Sequence, residues 1–221
     1  MKSRVPKVLQ TVGGQSMIIH VLDTALQLQP AGIHVVFNPK VPEVQAACAD
    51  YDITWAAQAE QLGTGHAVQQ AMPGIPENAD VLVLYGDIPL LESSVLKSLV
   101  EAPSTGVKVL TMDISEPTGY GRIVRDDHGN VTGIVEERDA SEAQRAITEV
   151  NSGIIMAPRQ VLMSCLDNMA SDNSQNEYYL TDVFSIAHQQ GIQTSSVIAP
   201  VATDLEGAND RIQLAELERR Y

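Results

Sequence analysis

The architecture of this chain is clearest in the segment Val81-Leu82-Val83-Leu84-Tyr85-Gly86-Asp87-Ile88-Pro89-Leu90. Its first five residues form a continuous apolar run, which predicts a strand buried on both faces in a sheet covered by helices. The run leads to an acid, Asp87, and ligands of open α/β sheets bind at the carboxyl ends of strands. A carboxylate there can hold a hard cation or cap the next turn, and the segment alone leaves both open.

Outward from this strand, apolar segments of two kinds alternate. A second buried-strand pattern covers 33–37, and a stripe of apolar residues from Met17 to Leu26 has the spacing of a helix. Four further segments have helical patterns: 67–71, 93–101, 159–169 and 180–190. This alternation predicts an α/β fold.

The middle of the chain follows a different pattern. Three strand-like segments, 107–114, 121–125 and 131–136, are joined by short clusters of turn-forming residues. Short connections require antiparallel neighbours, so we expect a mixed sheet or a small antiparallel subdomain there.

The composition restricts the partners. The 221 residues include 14 Lys and Arg against 28 Asp and Glu, a formal net charge of −14. A surface this acidic repels a phosphate backbone, so we expect no nucleic-acid binding, and any phosphate chemistry should depend on a metal ion.

Cys48 and Cys165 lack metal-site spacing and fit reduced thiols. No apolar segment reaches the length of a membrane span and no signal-peptide core is present, so we expect a cytoplasmic protein with no membrane partner.

Several polar residues lie where they could bind a ligand. Gln58 offers both a donor and an acceptor, as the edge of a pyrimidine requires, and Gly63 and Gly65 open a helix whose backbone N–H groups can meet a phosphate or a base. Glu136 and Asn151 could bind sugar hydroxyls or simply lie at strand edges and turns. Asn209, taken alone, is a helix N-cap. Three cations near predicted turns either bind phosphate or are solvated: Arg4, Lys7 and Arg122.

The order of these motifs along the chain carries more information than any one of them. They are Pro6-Lys7-Val8-Leu9 with Gly13-Gly14, Gln58 with Leu62-Gly63-Thr64-Gly65-His66-Ala67, Tyr85-Gly86-Asp87-Ile88-Pro89-Leu90, Pro117-Thr118-Gly119-Tyr120-Gly121-Arg122-Ile123, Ile134-Val135-Glu136, Asn151-Ser152-Gly153 and Glu177-Tyr178-Tyr179-Leu180-Thr181-Asp182. Together they resemble the sugar-1-phosphate nucleotidyltransferase family over essentially the whole chain. The resemblance is strongest to the uridylyltransferases that make UDP-N-acetylglucosamine.

The resemblance implies a fold and a reaction. The fold is the Rossmann-like nucleotide-diphospho-sugar transferase fold, an α/β structure with a mixed, mostly parallel sheet flanked by helices and a small antiparallel subdomain. The reaction is uridylyl transfer from UTP to N-acetylglucosamine 1-phosphate, with pyrophosphate released, in support of peptidoglycan and lipopolysaccharide synthesis. Mg²⁺ is the implied cofactor, held by Asp87 and Asn209, and Lys7 and Asp87 are the implied catalytic residues.

The resemblance also implies roles for the substrate-binding residues. Gln58 and the backbone of Gly63 match uracil contacts, with Thr64 beside them, and Lys7 matches a lysine near the nucleotide phosphates. Tyr85 and Gly86 match the wall near the reacting phosphate, and Asn209 reaches the substrates through the metal. The remaining residues match contacts to the N-acetylglucosamine group: Gly121, Glu136 and Asn151.

The ends of the sequence depart from the family pattern. The first strand and the signature Leu-Ala-Ala-Gly-x-Gly-Thr-Arg would lie immediately before residue 1, so we expect this chain alone to be weakly active or inactive. We predict a nucleotidyltransferase domain over 1–203 and a C-terminal linker helix over 204–221. A following acetyltransferase domain, through which such proteins form homotrimers, is not in the sequence.

Three other functions stay open. One is a nucleotidyltransferase for another sugar 1-phosphate, such as glucose 1-phosphate with UTP or dTTP. The second is a metal-dependent glycosyltransferase, which shares a nucleotide-binding sheet but releases UDP and no pyrophosphate. The third is a fragment that binds nucleotide without catalysis.

Overall fold

The computed structural model describes residue 3 and residues 5–221; the candidate phosphate ligand Arg4 lies outside them. The described strands are β1 Thr11–Val12, β2 Gln15–Ser16, β3 His34–Phe37, β4 Thr54–Ala57, β5 Asp80–Val83, β6 Val107–Asp113, β7 Arg122–Arg125, β8 Val131–Val135, β9 Glu149–Pro158 and β10 Thr194–Ile198. The described helices are α1 Met17–Leu26, α2 Glu43–Ala47, α3 Thr64–Ala71, α4 Ser93–Glu101, α5 Glu142–Arg145, α6 Arg159–Asp167, α7 Asp182–Gln189 and α8 Arg211–Arg220. None of the described helices is long and apolar enough to cross a membrane.

A six-stranded mixed sheet forms the centre, in the order β10-β6-β9-β7-β8, with β5 also paired to β9. The long strand β9 runs antiparallel to all three of its neighbours, β6 on one edge and β5 and β7 on the other. β10 runs parallel to β6, and β8 antiparallel to β7. Four of the six strands therefore share one direction, although β10 with β6 is the one parallel pairing among the described residues. The predicted α/β class with a mixed sheet is confirmed.

The hairpin β7–β8 is the antiparallel extension that the short turns predict. It joins the sheet at one described pair, Arg122 opposite Val150 of β9. The segment 107–114, expected beside this hairpin, lies elsewhere, because β9 separates β6 from β7. A strand that comes later in the chain decides this neighbour relation, so the local turn pattern could not reveal it.

A second, two-stranded parallel sheet is formed by β3 and β4, and no described pairing joins it to the six-stranded sheet. Among the described residues, β5 has a paired neighbour on one of its two edges, the strand β9. Val81, Leu82 and Val83 are accordingly half-buried, whereas residues 107–112 of β6, paired on both edges, are fully buried. The expectation of complete burial for the 81–85 run is therefore wrong.

The C-terminal segment folds back onto the body of the protein. A 3₁₀ turn, Ala202–Leu205, precedes α8, which begins at Arg211 rather than at 204. Leu217 of α8 is 1% exposed and packs with Val12, Met17 and Ala208. The division into a domain over 1–203 and a linker helix over 204–221 stays a prediction. In this structure, the core contacts of Leu217 with Val12 and Met17 cross the predicted boundary.

Candidate active site

Three distant parts of the chain meet beyond the end of β5. The strand continues through Tyr85 and Gly86 to Asp87, and the 3₁₀ turn Lys7–Leu9 lies against this segment. Lys7 Nζ forms an ion pair with Asp87 and donates a hydrogen bond to Asn209 Oδ1 at 2.5 Å. One ammonium group thus joins residues 7, 87 and 209.

The loop before α8 places Asn209 at this point. Asp210 caps the helix, because its Oδ1 accepts hydrogen bonds from the N–H groups of Ile212 and Gln213 at 2.8 and 2.9 Å. The N-cap is therefore Asp210 and not Asn209, which corrects the expectation from Asn209 taken alone. The backbone N–H of Asn209 donates to Gln213 Oε1 at 2.7 Å. The same loop touches the acid, since a Cβ on Gly207 would lie 3.1 Å from Asp87 Oδ2.

The oxygens around Lys7 Nζ have the chemistry of a divalent-cation site. Asp87 and Asn209 contribute a carboxylate and a carboxamide oxygen to one position that already holds a positive charge. Mg²⁺ prefers such hard oxygen ligands and commonly takes one or two from protein and the rest from substrate phosphates and water. Within residue 3 and 5–221, no group of three or more His, Cys, Asp or Glu side chains could hold a metal alone. The two predicted ligands fit a metal that is shared with a phosphate.

Tyr85 lies between the acid and the rest of the predicted site. Its ring packs against Gly153, where a Cβ would come within 2.6 Å of the ring and where φ is +88°. The pKa of Tyr85 is raised to about 12, mainly by burial and also by the nearby charges of Glu136 and Asp87. A hydrogen bond with Thr64 acts in the opposite direction and lowers this pKa. Tyr85 therefore keeps its proton at neutral pH, forms a hydrogen bond with Thr64 and lies near the charges of Glu136 and Asp87.

The loop that carries Gln58 and Gly63 is fixed by internal hydrogen bonds. Gln58 Nε2 donates to the carbonyl of Gly63 at 3.1 Å and lies 3.0 Å from His66 Nδ1. Gly63 has φ +114°, and a Cβ there would lie 2.5 Å from the carbonyl oxygen of Tyr178, so only glycine fits. Thr64 Oγ1 accepts a hydrogen bond from the N–H of Leu180 at 3.0 Å.

One expectation for this loop is wrong. The N–H of Gly65 donates to the carbonyl of Tyr178 at 2.8 Å, so it is not directed at a ligand. His66 lies in the first turn of α3, and its Nδ1 contacts Gln58 Nε2.

The three predicted sugar contacts lie together. A Cβ on Gly121 would be 3.5 Å from both carboxylate oxygens of Glu136. The carbonyl of Gly121 accepts from the N–H of Asn151 at 2.8 Å, and Asn151 Oδ1 accepts from the N–H of Gly153 at 2.8 Å. Burial raises the pKa of Glu136, against a hydrogen bond from Thr181 that lowers it. Because Gly153 also supports Tyr85, this group adjoins the group around Asp87.

Sequence reasoning missed the residues that support Glu136 from α7. Thr181 Oγ1 donates to Glu136 Oε1 at 2.9 Å, and Asp182 follows at the start of the helix. Burial and the charges of Glu136 and Asp139 raise the pKa of Asp182 to about 6. A cavity of about 410 Å³ adjoins Glu136, Asp182 and Tyr179. The motif 177–182 was the available signal, but its spacing gives no indication that it meets a strand more than forty residues earlier.

Arg122 is not a phosphate ligand. Its side chain is 2% exposed and pairs with Glu137 Oε2 at 2.6 Å, while its guanidinium also donates to the carbonyl of Tyr120. Arg122, the first residue of β7, is therefore paired with Glu137 inside the hairpin region and is not available to a phosphate.

Comparison with known proteins gives two consistent results. The family model for the MobA-like NTP transferase domain matches residues 1–147. The Bifunctional protein GlmU of Xanthomonas oryzae pv. oryzae is 52% identical over 222 residues, 100% of this chain and 49% of that protein. Proteins with the same name from Alkalilimnicola ehrlichii and Idiomarina loihiensis are 48% and 47% identical over 99% of the chain and 47% and 48% of their own lengths. The chain thus spans about half the length of the curated relatives it matches.

Proposed function

This chain belongs to the family of MobA-like NTP transferase domains, and from that membership we propose that it transfers the uridylyl group of UTP to N-acetylglucosamine 1-phosphate. The products are UDP-N-acetylglucosamine and pyrophosphate. The observation that carries the proposal is the position between Asp87 and Asn209, where an oxygen from the end of β5 and an oxygen from the loop before α8 share one cation, the Lys7 ammonium. A nucleotidyl transfer between two anions needs positive charge at one such point.

The chemistry needs orientation and charge neutralisation more than a base. A phosphate oxygen of the sugar phosphate forms a bond to the α-phosphorus of UTP, and the bond from that phosphorus to the β-phosphate bridge breaks, releasing pyrophosphate. The attacking phosphate is already ionised, so no side chain has to remove a proton. A divalent metal, when bound, neutralises the charge on the phosphates in the transition state. Enzymes of this family generally depend on a metal, and we propose Mg²⁺, held by Asp87 and Asn209.

The remaining residues have binding roles in this proposal. Lys7 adds positive charge beside the triphosphate, and Gln58, Gly63 and Thr64 bind the uracil edge. Tyr85 and Gly86 line the path between nucleotide and acceptor. A site of such hydrogen bonds discriminates against analogues that cannot make them. The acceptor sugar is bound by the remaining group: Gly121, Glu136 and Asn151.

Two further parts of the proposal concern the protein's setting. A cytoplasmic location follows from the substrates, because UTP and sugar phosphates are cytoplasmic metabolites. Trimer formation would require sequence outside this chain, in a protein of the relatives' length, and stays a prediction.

The direct test is product analysis. The protein is incubated with UTP, N-acetylglucosamine 1-phosphate and Mg²⁺, and UDP-N-acetylglucosamine is detected by mass spectrometry while pyrophosphate release is followed. The same assay on a chain extended upstream by the signature loop tests the expectation of weak activity for residues 1–221 alone. We expect both products from the extended chain.

The alternatives have different readouts. Faster pyrophosphate release with glucose 1-phosphate or dTTP would indicate another specificity. Production of UDP without pyrophosphate would indicate a glycosyltransferase. Binding of UTP with no product from either length would leave a nucleotide-binding fragment.

A further inference from the structure

The position proposed for the metal is occupied by a side chain of the protein itself. Lys7 Nζ contacts both Asp87 and Asn209, the two groups that would hold the metal. A second cation cannot share that position, because the ammonium fills the space between the oxygens and repels another positive charge. Metal binding at this point therefore requires Lys7 to move.

The structure allows that movement to be confined to the side chain. Two backbone hydrogen bonds hold the turn that carries Lys7. The N–H of Leu9 donates to the carbonyl of Pro6 at 3.0 Å, and the N–H of Gln10 donates to the carbonyl of Lys7 at 3.1 Å. Val8 of the same turn packs near Gly86. The Lys7 side chain is 37% exposed and has a long, flexible stem, so its ammonium can leave Asp87 without disturbing the turn.

We propose that Lys7 is a place-holding cation, which closes the metal position in the nucleotide-free protein and opens it when nucleotide phosphates draw the ammonium away. The proposal rests on the function proposed above and adds an order of events to it. Metal and nucleotide then bind cooperatively, and by linkage each raises the affinity for the other. Lys7 also balances Asp87, whose carboxylate is 18% exposed, in a protein of net charge −14.

Metal binding without turnover tests the proposal. Mn²⁺ is the probe, and the loss of its free signal in electron paramagnetic resonance reports binding to the full chain. Without nucleotide, we expect Lys7→Met to bind Mn²⁺ at least about tenfold more tightly than the unsubstituted protein, because a repelling unit charge is removed from contact distance. Lys7→Arg keeps the charge and should bind Mn²⁺ as weakly as the unsubstituted protein.

Two further variants locate the effect. Lys97→Met removes the same charge from an exposed position on α4 and should leave Mn²⁺ affinity unchanged. Adding Asp87→Asn to Lys7→Met should abolish the tight binding, which identifies the site. When UTP is added at equal concentration to each protein, without the sugar phosphate, the difference between Lys7→Met and the unsubstituted protein should disappear. Circular dichroism melting checks that Lys7→Met is folded.

Equal Mn²⁺ affinity of folded Lys7→Met and the unsubstituted protein would overturn the proposal. So would equal tightening by Lys97→Met, since the effect would then be general charge rather than place-holding. These failures are separate from failure of the proposed function. If the extended chain forms product but the Mn²⁺ titrations of Lys7→Met and the unsubstituted protein coincide, only the place-holding role is rejected. If the two titrations differ tenfold but the extended chain forms no product, only the reaction is rejected.

Discussion

Asp87 is the residue on which the proposed chemistry depends most directly. We expect Asp87→Ala to lower metal-dependent turnover by roughly 10²–10³-fold, the cost of losing one electrostatic contact to a transition state. Stability should change by less than about 1 kcal/mol, because the ion pair with Lys7 is partly exposed. Pyrophosphate release by the chain extended upstream by the signature loop, and thermal unfolding, measure the two quantities. The control is Asp127→Ala in the exposed β7–β8 turn, and equal activity losses in both variants would contradict the assignment.

Gly153 offers a second test at the level of one residue, because its neighbour is Tyr85. Gly153→Ala and Gly119→Ala both place a side chain at positive φ, +88° and +91°, and each should lose about 1–2 kcal/mol of stability for that reason. Only at Gly153 does the new Cβ meet a ring, at 2.6 Å, whereas nothing lies within 4 Å at Gly119. We therefore expect Gly153→Ala, unlike Gly119→Ala, to lose turnover and further stability. Product formation by the extended chain and urea unfolding measure the two effects. Equal losses of turnover and stability in the two variants would contradict the role of Tyr85 in the site.

Among the elements, the start of α7 has the clearest pH dependence. Burial and the charges of Glu136 and Asp139 raise the pKa of Asp182 from its ordinary value of 3.8 to about 6 in the folded protein. The folded state therefore retains a proton that the unfolded state has released, and stability from this group is full below pH 4 and lost as pH rises through 6. The Asp182→Asn side chain does not titrate, so this variant lacks the change of stability with pH that comes from Asp182.

The expected result is a difference that depends on pH. At pH 7.5, Asp182→Asn should exceed the unsubstituted protein by about 1–2 kcal/mol in the free energy of unfolding, after discounting for partial exposure and for the lost carboxylate at the helix N-terminus. At pH 4 the two proteins should be equal. Urea unfolding at both pH values measures this, with the exposed Asp52→Asn as control. A constant difference at the two pH values would mean that Asp182 is not perturbed.

The elements also separate what the sequence could predict from what it could not. Local periodicity identified α4 to the residue and β5 to within two residues of its bounds, because both depend on neighbours along the chain. The contact of Lys7 with Asn209 spans 202 positions, and only the family resemblance placed both in one site. Arg122 was misjudged for the same reason, since its burial depends on Glu137 and the carbonyl of Tyr120 in the folded hairpin region.

At the scale of the whole molecule, the two ends of the described chain cover the site together. The turn at Lys7 and the loop at Asn209 approach Asp87 from opposite ends of the chain. Val8 and Leu9 of the turn pack against one core cluster, and the loop is backed by a second, small cluster that joins Val12 and Met17 to Ala208 and Leu217. Each end is short, so its position depends on packing against the other. Stability of this cluster and competence of the cation site should therefore change together.

Leu217 tests that coupling. Leu217→Ala removes a side chain that is 1% exposed and should cost about 2–4 kcal/mol in the free energy of unfolding, through lost burial and the cavity left behind. Ile212→Ala removes a 70% exposed side chain from the same helix and should cost less than about 0.5 kcal/mol. Because α8 carries the loop of Asn209, Leu217→Ala should also weaken Mn²⁺ binding in the Lys7→Met background, under conditions where the protein is still folded. Loss of stability with unchanged Mn²⁺ affinity would show that the loop keeps its position without the packing of Leu217.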